Sequence, residues 1–147
     1  MKISIITISF NAEKTIEKTL MSIESQSYDN IEHIIVDGGS KDNTLEICNS
    51  FPHVSKIISE SDKGVYDAFN KGLKIATGDI IGFLNADDVF YESNSVLEIV
   101  NAFSINETDI VYGNLDYVNE DGKVIRNWVS KPYNLGLIKK AWMPSHP

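Results

Sequence analysis

The sequence has 147 residues and a single cysteine, Cys48, so no internal disulfide can form. A disulfide-stapled secreted fold is excluded, and Cys48 fits a small core residue in a reducing compartment. A reactive thiol is the alternative that the sequence leaves open. Basic residues are also scarce, because 13 lysines and arginines face 21 acids and the net charge is -8. No basic cluster occurs, so no nucleic-acid partner is expected.

Long apolar segments are absent as well. The apolar run over residues 1–8 is too short for a signal peptide or a membrane span, so we expect a first strand and no transmembrane segment. A cytoplasmic location follows as an expectation. The phosphate-binding patterns G-x-x-x-x-G-K-S/T and G-x-G-x-x-G are both missing. At 42% hydrophobic residues, the chain suits one domain with a sizeable core.

Apolar runs alternate with segments of helical periodicity along the chain. The runs are rich in isoleucine and valine, as is typical of strands covered on both faces. Strands are predicted over residues 2–8, 31–37, 55–59, 79–85 and 109–113. Helices are predicted after Asn11, from about Thr44, after Gly64 and from about Ser93. This order predicts an α/β fold, with a mainly parallel sheet and helices on both faces.

Beyond residue 113 the pattern changes to that of a hairpin. Residues 115–119 and 123–129 flank the turn signal Glu120-Asp121-Gly122. A short helix is predicted over residues 135–141.

The most informative segment is residues 82–88, G-F-L-N-A-D-D, where a core strand ends on two adjacent acids. Adjacent carboxylates repel each other, so a shared cation or proton is expected at Asp87 and Asp88. Capping of a following helix by either acid is the alternative. The other predicted strand ends are also polar, and part of the loop over residues 37–44 can be explained as simple turn chemistry.

Four blocks of the sequence, residues 5–11, 35–44, 59–72 and 76–88, resemble the family 2 glycosyltransferases in order and spacing. That family uses the GT-A fold, and the likeness covers nearly all of residues 2–147. The resemblance implies one GT-A domain over residues 1–147. Its donor-binding part would cover about 1–112, and a truncated acceptor half would begin at about 113.

The resemblance also implies a reaction. An inverting, metal-dependent enzyme would move a sugar from a nucleotide-diphosphate sugar, with a UDP-sugar favoured, to a hydroxyl of a saccharide or lipid-linked saccharide. Surface polysaccharide synthesis and a peripheral position at the inner face of the membrane fit such a reaction. Mn²⁺ or Mg²⁺ would be held by Asp88, with His146 as a second candidate if it is not merely structural or exposed. Contacts to the nucleotide-sugar are implied for Thr7, Ser9, Asn11, Asp37, Gly39, Asp62, Lys63, Asp67, Asn70, Asn85 and Asp87.

The general base of the reaction cannot be placed. Asp116, Glu120 and Asp121 lie in or beside the predicted hairpin and are equally well explained as turn and surface acids. A non-catalytic nucleotide-binding domain or fragment is therefore the alternative function. A receiver domain for phosphoryl transfer is a more distant one, since residues 109–114 lack the lysine that it requires.

Overall fold

The structure is a computed structural model that describes residues 1–106, 108–133 and 136. Strands and helices alternate through the first part of the chain, and a hairpin follows. The strands are β1 (Ile3–Ser9), β2 (Ile31–Asp37), β3 (Val54–Ser59), β4 (Ile80–Phe83), β5 (Leu115–Val118) and β6 (Val124–Trp128). The helices are α1 (Ile16–Glu24), α2 (Thr44–Ser50), α3 (Val65–Ile75) and α4 (Ser95–Asn106).

The first four strands form one parallel sheet in the order β3-β2-β1-β4. Isoleucine and valine fill β1 and β2, because both faces of these central strands are buried. The predicted α/β class, parallel sheet and positions of the first four strands are thereby confirmed. In parallel strands all carboxyl ends lie at one edge, so the loops after the four strands come together there.

The prediction of a fifth strand over residues 109–113 is wrong, because the structure has no strand between residues 108 and 114. Instead, the Tyr112 hydroxyl donates to the carbonyl of Lys131 at 2.9 Å, at the base of the hairpin. Apolar composition suggested a strand, but a strand also needs a neighbour to complete its backbone hydrogen bonds.

Helices cover both faces of the sheet. Helices α1, α2 and α4 pack on the face that carries Ile5 and Ile35, and α3 packs on the opposite face against Ile6 and Ile34. Helix α3 lies especially close, since a Cβ atom added at Gly72 would be 2.5 Å from Cγ2 of Ile6. These contacts hold the loops at the carboxyl edge on a rigid support.

The amino-terminal edge of the sheet is held by a buried carboxylate. Glu32 accepts from Lys2 Nζ at 3.1 Å and Lys56 Nζ at 3.0 Å, and also from Ser4 and Thr77. Burial alone would raise the pKa of Glu32, but these donors outweigh it and hold the pKa well below its usual range. With its oxygens bonded to protein groups, Glu32 is a structural residue.

Strands β5 and β6 form the predicted antiparallel hairpin, with Leu115 opposite Trp128 and Tyr117 opposite Arg126. The Arg126 guanidinium lies 4.7 Å from the centre of the Trp128 ring. The helix predicted over residues 135–141 lies outside the described residues, apart from residue 136. In the described part of the chain, no helix is long and apolar enough to cross a membrane.

Candidate functional site

A cavity of about 660 Å³ opens at the carboxyl edge of the sheet, where the loops after β1, β2 and β3 meet. Backbone and short polar side chains form much of its wall, with one exposed aromatic ring from Phe10. The lining residues are Phe10, Gly38, Gly39, Ser40, Lys41, Leu45, Ser59, Glu60 and Ser61. The cavity therefore lies where an open parallel sheet ordinarily binds its ligand.

Asp37 ends β2 directly beneath this cavity, but its carboxylate is 0% exposed. It accepts from the backbone N–H of Gly39 at 3.0 Å and of Ser40 at 2.9 Å, and from the hydroxyls of Ser40, Ser59 and Ser9. Burial alone would raise the pKa of Asp37, but these hydrogen bonds lower it. Asp37 therefore shapes the loop that lines the cavity, and these internal hydrogen bonds do not favour the direct nucleotide contact predicted for it.

The loops after β1 and β2 are bonded to each other. Asn11 donates its backbone N–H to Ser40 Oγ at 2.8 Å, and its side-chain carbonyl accepts from the Lys41 N–H at 2.9 Å. Asn11 has a positive φ of 49°, which asparagine tolerates better than most residues. Asn11, Ser9 and Gly39 thus belong to the frame of the predicted site, with Gly39 at a φ of 85° in the cavity wall.

Thr7 does not reach the site. Its side chain is buried within the sheet, and its hydroxyl lies 3.0 Å from Nε2 of His33. This burial does not favour the nucleotide contact predicted for Thr7, because strand alternation turns residue 7 under α1 and α2. Cys48 is buried as predicted, and burial and the charge of Asp37 raise the pKa of its thiol to about 11. A reactive thiolate is not favoured there.

Asp87 and Asp88 follow β4 in a turn rather than at the start of a helix. The Asp88 N–H donates to the Asn85 carbonyl at 3.1 Å, and the Asn85 side-chain amide donates to Asp88 Oδ2 at 3.1 Å. Helix α4 begins only at Ser95, so neither acid caps it and the capping interpretation is wrong. Asp87 is exposed, whereas Asp88 is half-buried.

The carboxylates after β4 are chemically suited to bind a divalent cation. Burial of Asp88 and the neighbouring charge of Asp87 raise the pKa of Asp88, against the hydrogen bonds from Asn85. A hard cation would relieve this repulsion and would accept the carboxylate oxygens as ligands. Across the described residues, no group of three histidines, cysteines or acids is arranged to hold a metal. Further ligands would have to come from phosphate oxygens or water.

The loop after β3, residues 60–64, carries the remaining predicted contacts. Asp62 Oδ1 accepts from the Gly64 N–H at 2.8 Å, and a Cβ atom added at Gly38 would lie 2.8 Å from Asp62 Oδ2. Asp62 therefore lies against the backbone of the cavity wall. Lys63 is exposed beside it, and its backbone N–H donates to Asp67 Oδ2 at 3.1 Å.

Other predicted residues are not brought to the cavity. Asn70 is exposed on α3, and the hairpin acids Asp116, Glu120 and Asp121 lie on β5 or at the turn after it. The Asp116 carboxylate accepts from the side-chain amide of Asn127 across the hairpin. His146 lies outside the described residues.

Some lining residues were missed by sequence reasoning. Phe10, Ser40, Lys41, Leu45, Ser59, Glu60 and Ser61 line the cavity without having been singled out as contacts. Most of them lie within the polar segments that end the predicted strands, and that position was the available signal. Leu45 carried no such signal, because an apolar residue at the start of a helix usually indicates core packing.

The fold and the edge cavity define the class of protein. A parallel α/β sheet with these loops and an acidic pair after the fourth strand is the architecture of the GT-A glycosyltransferases. The chain belongs to Glycosyl transferase family 2, whose sequence profile matches residues 4–142. The family predicted from the four sequence blocks is thereby confirmed.

Individual relatives agree with this assignment. The chain is 38% identical over 117 residues to a PGL/p-HBAD biosynthesis glycosyltransferase of Mycobacterium bovis, which covers 76% of this chain and 46% of that protein. The chain thus spans less than half the length of that relative. The crystal structure of S. aureus TarS superposes with a TM-score of 0.69 and 26% identity over 74% of this chain and 20% of its own.

A second solved structure carries bound ligands. Glucosyl-3-phosphoglycerate synthase from Mycobacterium tuberculosis, in complex with Mn²⁺, UDP and glucosyl-3-phosphoglycerate, superposes with a TM-score of 0.52 and 26% identity. The match covers 58% of this chain and 33% of that one.

Proposed function

We propose that residues 1–112 bind the nucleotide-diphosphate sugar of an inverting, metal-dependent glycosyltransferase, with a UDP-sugar as the donor. The observation that carries the proposal is the placement of a cavity after β1, β2 and β3 beside an acidic pair after β4. The nucleoside would occupy the cavity, and the diphosphate would extend past the end of β1 toward Asp88. Three strand spacings separate β3 from β4, roughly 14 Å, which is the scale of an extended nucleoside diphosphate.

Each part of the donor has a chemical counterpart in this arrangement. Phe10 offers an exposed ring for base stacking, and Asp62 offers a carboxylate for an imide or a ribose hydroxyl. Asp87 would accept from ribose or sugar hydroxyls, and the exposed Lys63 would face the phosphates. Mn²⁺ or Mg²⁺ held by Asp88 would supply the positive charge that stabilises the departing diphosphate.

The named relatives support the choice of donor and metal. The synthase from Mycobacterium tuberculosis was crystallised with UDP and Mn²⁺, and this chain resembles it at 26% identity. The PGL/p-HBAD relative is named as a biosynthetic glycosyltransferase, which agrees with a transfer reaction. As the acceptor we propose a hydroxyl of a saccharide or lipid-linked saccharide, in surface polysaccharide synthesis at the inner face of the membrane. The acceptor half would begin at about residue 113.

A second candidate is a nucleotide-binding domain that does not transfer sugar by itself. Within the described residues, the acids Asp116, Glu120 and Asp121 do not line the cavity, so none of them is positioned as a general base there. Inverting transfer needs a group that takes the proton from the attacking hydroxyl. This observation favours binding without turnover for the residues described.

Isothermal titration with UDP, GDP and dTDP, each with and without Mn²⁺, tests the proposal. We expect UDP to bind with the highest affinity and the affinity to depend on Mn²⁺. Absence of binding by every nucleotide in the presence of Mn²⁺ would refute the donor site. Equal affinities with and without the metal would refute metal dependence while leaving nucleotide binding in place.

A further inference from the structure

The loop over residues 60–64, which we call the Asp62 loop, forms one wall of the cavity through Glu60 and Ser61. Its acid, Asp62, makes an Asx-type hydrogen bond to the Gly64 N–H and lies in contact with the backbone at Gly38. A Cβ atom at residue 38 would be only 2.8 Å from Asp62 Oδ2. The position of this carboxylate relative to the cavity therefore depends on where the whole loop is held.

Helix α3 holds the Asp62 loop at both ends. Lys71 Nζ lies 3.0 Å from Glu60 Oε1 and donates to the Ser61 carbonyl at 3.0 Å. At the other end of the loop, Asp67 Oδ2 accepts from the Lys63 N–H at 3.1 Å. Lys71 and Asp67 are themselves paired at 3.7 Å, so the two attachments form one connected clamp.

The Lys71 ammonium is bonded to protein groups. It has three N–H donors, and it faces three oxygens, those of Glu60, Ser61 and Asp67. The hydrogen bond to Glu60 also raises the pKa of Lys71, so the ammonium remains charged. Its side chain is only 17% exposed. A phosphate oxygen would have to displace one of these partners to reach it, so a direct phosphate contact is not favoured for Lys71.

We propose that Lys71 is a positioning residue for nucleoside recognition, holding the Asp62 loop so that the Asp62 carboxylate meets the nucleoside at the cavity wall. The inference rests on the proposed donor site and deepens it. The two lysines near the carboxyl edge of the sheet then have different roles. The exposed Lys63 would face the phosphates, and Lys71 would act through the Asp62 loop.

Binding of uridine and of UDP distinguishes a loop clamp from a phosphate contact, because uridine has no phosphate. Lys71→Met keeps the length of the side chain and removes its charge. We expect this variant to weaken the binding of uridine and of Mn²⁺-UDP by the same factor. The factor should be about tenfold, which is the cost of losing a charge-assisted hydrogen bond. Lys74→Met is the matched control, since Lys74 is exposed one turn further along the same helix, and it should leave both affinities unchanged.

Further variants allow the inference to be tested even if Lys71→Met does not fold. Lys71→Arg retains the charge and should recover most of the lost uridine affinity. Glu60→Gln removes the ion pair from the loop side, and its double variant with Lys71→Met should bind uridine no more weakly than Lys71→Met alone. Melting temperatures report whether each variant is folded.

The possible outcomes distinguish failure of the role assigned to Lys71 from failure of the proposed donor site. Weaker UDP binding with unchanged uridine binding in Lys71→Met would make Lys71 a phosphate contact and overturn the inference. Unchanged affinity for both ligands, or a Lys71→Arg variant as weak as Lys71→Met, would overturn it as well. If the wild-type chain bound neither ligand, the proposed donor site itself would fail, whereas failure of the inference alone requires a wild type that binds.

Discussion

At the scale of single residues, Asp37 ends one core strand and Asp88 follows another, yet their surroundings shift the pKa values of the two groups in opposite directions. Protein donors outweigh the burial of Asp37 and lower its pKa, while burial and the charge of Asp87 raise the pKa of Asp88. The charge of Asp37 is already satisfied within the protein. The charge of Asp88 is not, which suits a ligand for an external cation.

Asp88→Asn keeps the side-chain shape and removes one charge. We expect Mn²⁺-dependent UDP affinity to fall by about tenfold or more, because few charges face the cation. Without ligands, the melting temperature should hold or rise, since a raised carboxyl pKa means that the fold disfavours the ionised form. Melting curves with and without Mn²⁺ and UDP measure both effects.

The matched control for this variant is Asp29→Asn, which changes the same charge at an exposed position before β2. It should retain the full ligand-induced rise in melting temperature. An Asp88→Asn variant that retained the same rise would remove Asp88 from the metal site.

Asp37→Asn should lower the free energy of unfolding and also weaken the binding of UDP. An asparagine carbonyl oxygen can still accept from the backbone N–H groups of Gly39 and Ser40, but its amide nitrogen would then face the hydroxyls of Ser9 and Ser40. The loss of the charged acceptor costs roughly 2 kcal/mol of unfolding free energy. Urea denaturation at pH 7 measures this loss. Ser59→Ala removes only one of the donors and should cost less. Unchanged stability in Asp37→Asn would contradict the framework role assigned to this residue.

A pair of histidines, the buried His33 and the half-buried His53, predicts an acid-sensitive fold. His33 Nδ1 lies 3.2 Å from His53 Nε2, so one nitrogen must donate and the other must accept, and a proton added to the accepting nitrogen breaks this hydrogen bond. Burial and the nearby His53 lower the pKa of His33 to about 3. Burial also lowers the pKa of His53, against the opposing effect of Glu24, whose Oε1 lies 3.8 Å from His53 Nδ1.

Because both folded pKa values lie below the unfolded value, the stability that neutral histidines contribute is complete above about pH 6.5 and is lost at lower pH. We expect the unfolding free energy to fall between pH 6.5 and 5, by up to about 1.4 kcal/mol per pH unit for each histidine. Denaturation at several pH values tests this, with His53→Gln expected to reduce the slope. A flat profile over this range would contradict the prediction.

At the scale of elements, the approach of α3 to the sheet depends on a small residue. Gly72→Ala places a Cβ atom 2.5 Å from Ile6 Cγ2, so either the helix or the buried Ile6 side chain must move to accept it. We expect a cost of roughly 1 to 3 kcal/mol despite the better helix propensity of alanine. Thermal or urea denaturation measures the cost.

Gly113→Ala is the matched control, because a Cβ atom at Gly113 meets no atom within 4 Å. It should leave stability nearly unchanged. Equal stability of the two variants would show that α3 can shift without cost.

At the scale of the whole molecule, nucleotide binding and sugar transfer are expected to separate. Within the described residues, the hairpin acids Asp116, Glu120 and Asp121 do not line the cavity. We therefore expect the 147-residue chain to bind UDP without transferring sugar to saccharide acceptors, because binding without proton removal leaves much of the barrier in place.

Radiolabelled UDP-sugars with a panel of saccharide acceptors measure this separation. Rapid transfer by this chain would show that it contains the base. Asp116, Glu120 and Asp121 would then be the first residues to replace.

Much of the architecture followed from local pattern. Isoleucine-rich runs such as those of β1 and β2 predicted buried parallel strands, and Glu120-Asp121-Gly122 predicted the hairpin turn. Such features depend on neighbours in sequence, which is why a linear pattern records them. The four spaced sequence blocks predicted the family for the same reason, since their order and spacing are properties of the chain itself.

The tertiary structure decided which polar groups are free to act. Asp37 and Thr7 are engaged by side chains from other strands, Lys71 is engaged by the Asp62 loop, and residues 109–113 form no strand. The partners Ser59 of Asp37, His33 of Thr7 and Glu60 of Lys71 lie more than ten residues away in the sequence, so periodicity could not report these contacts. The sequence by itself determined which polar segments follow the strands and so lie at the carboxyl edge of the sheet. Three-dimensional packing determined which polar side chains there hydrogen-bond to protein groups, and a donor or acceptor used in this way is no longer available to a ligand.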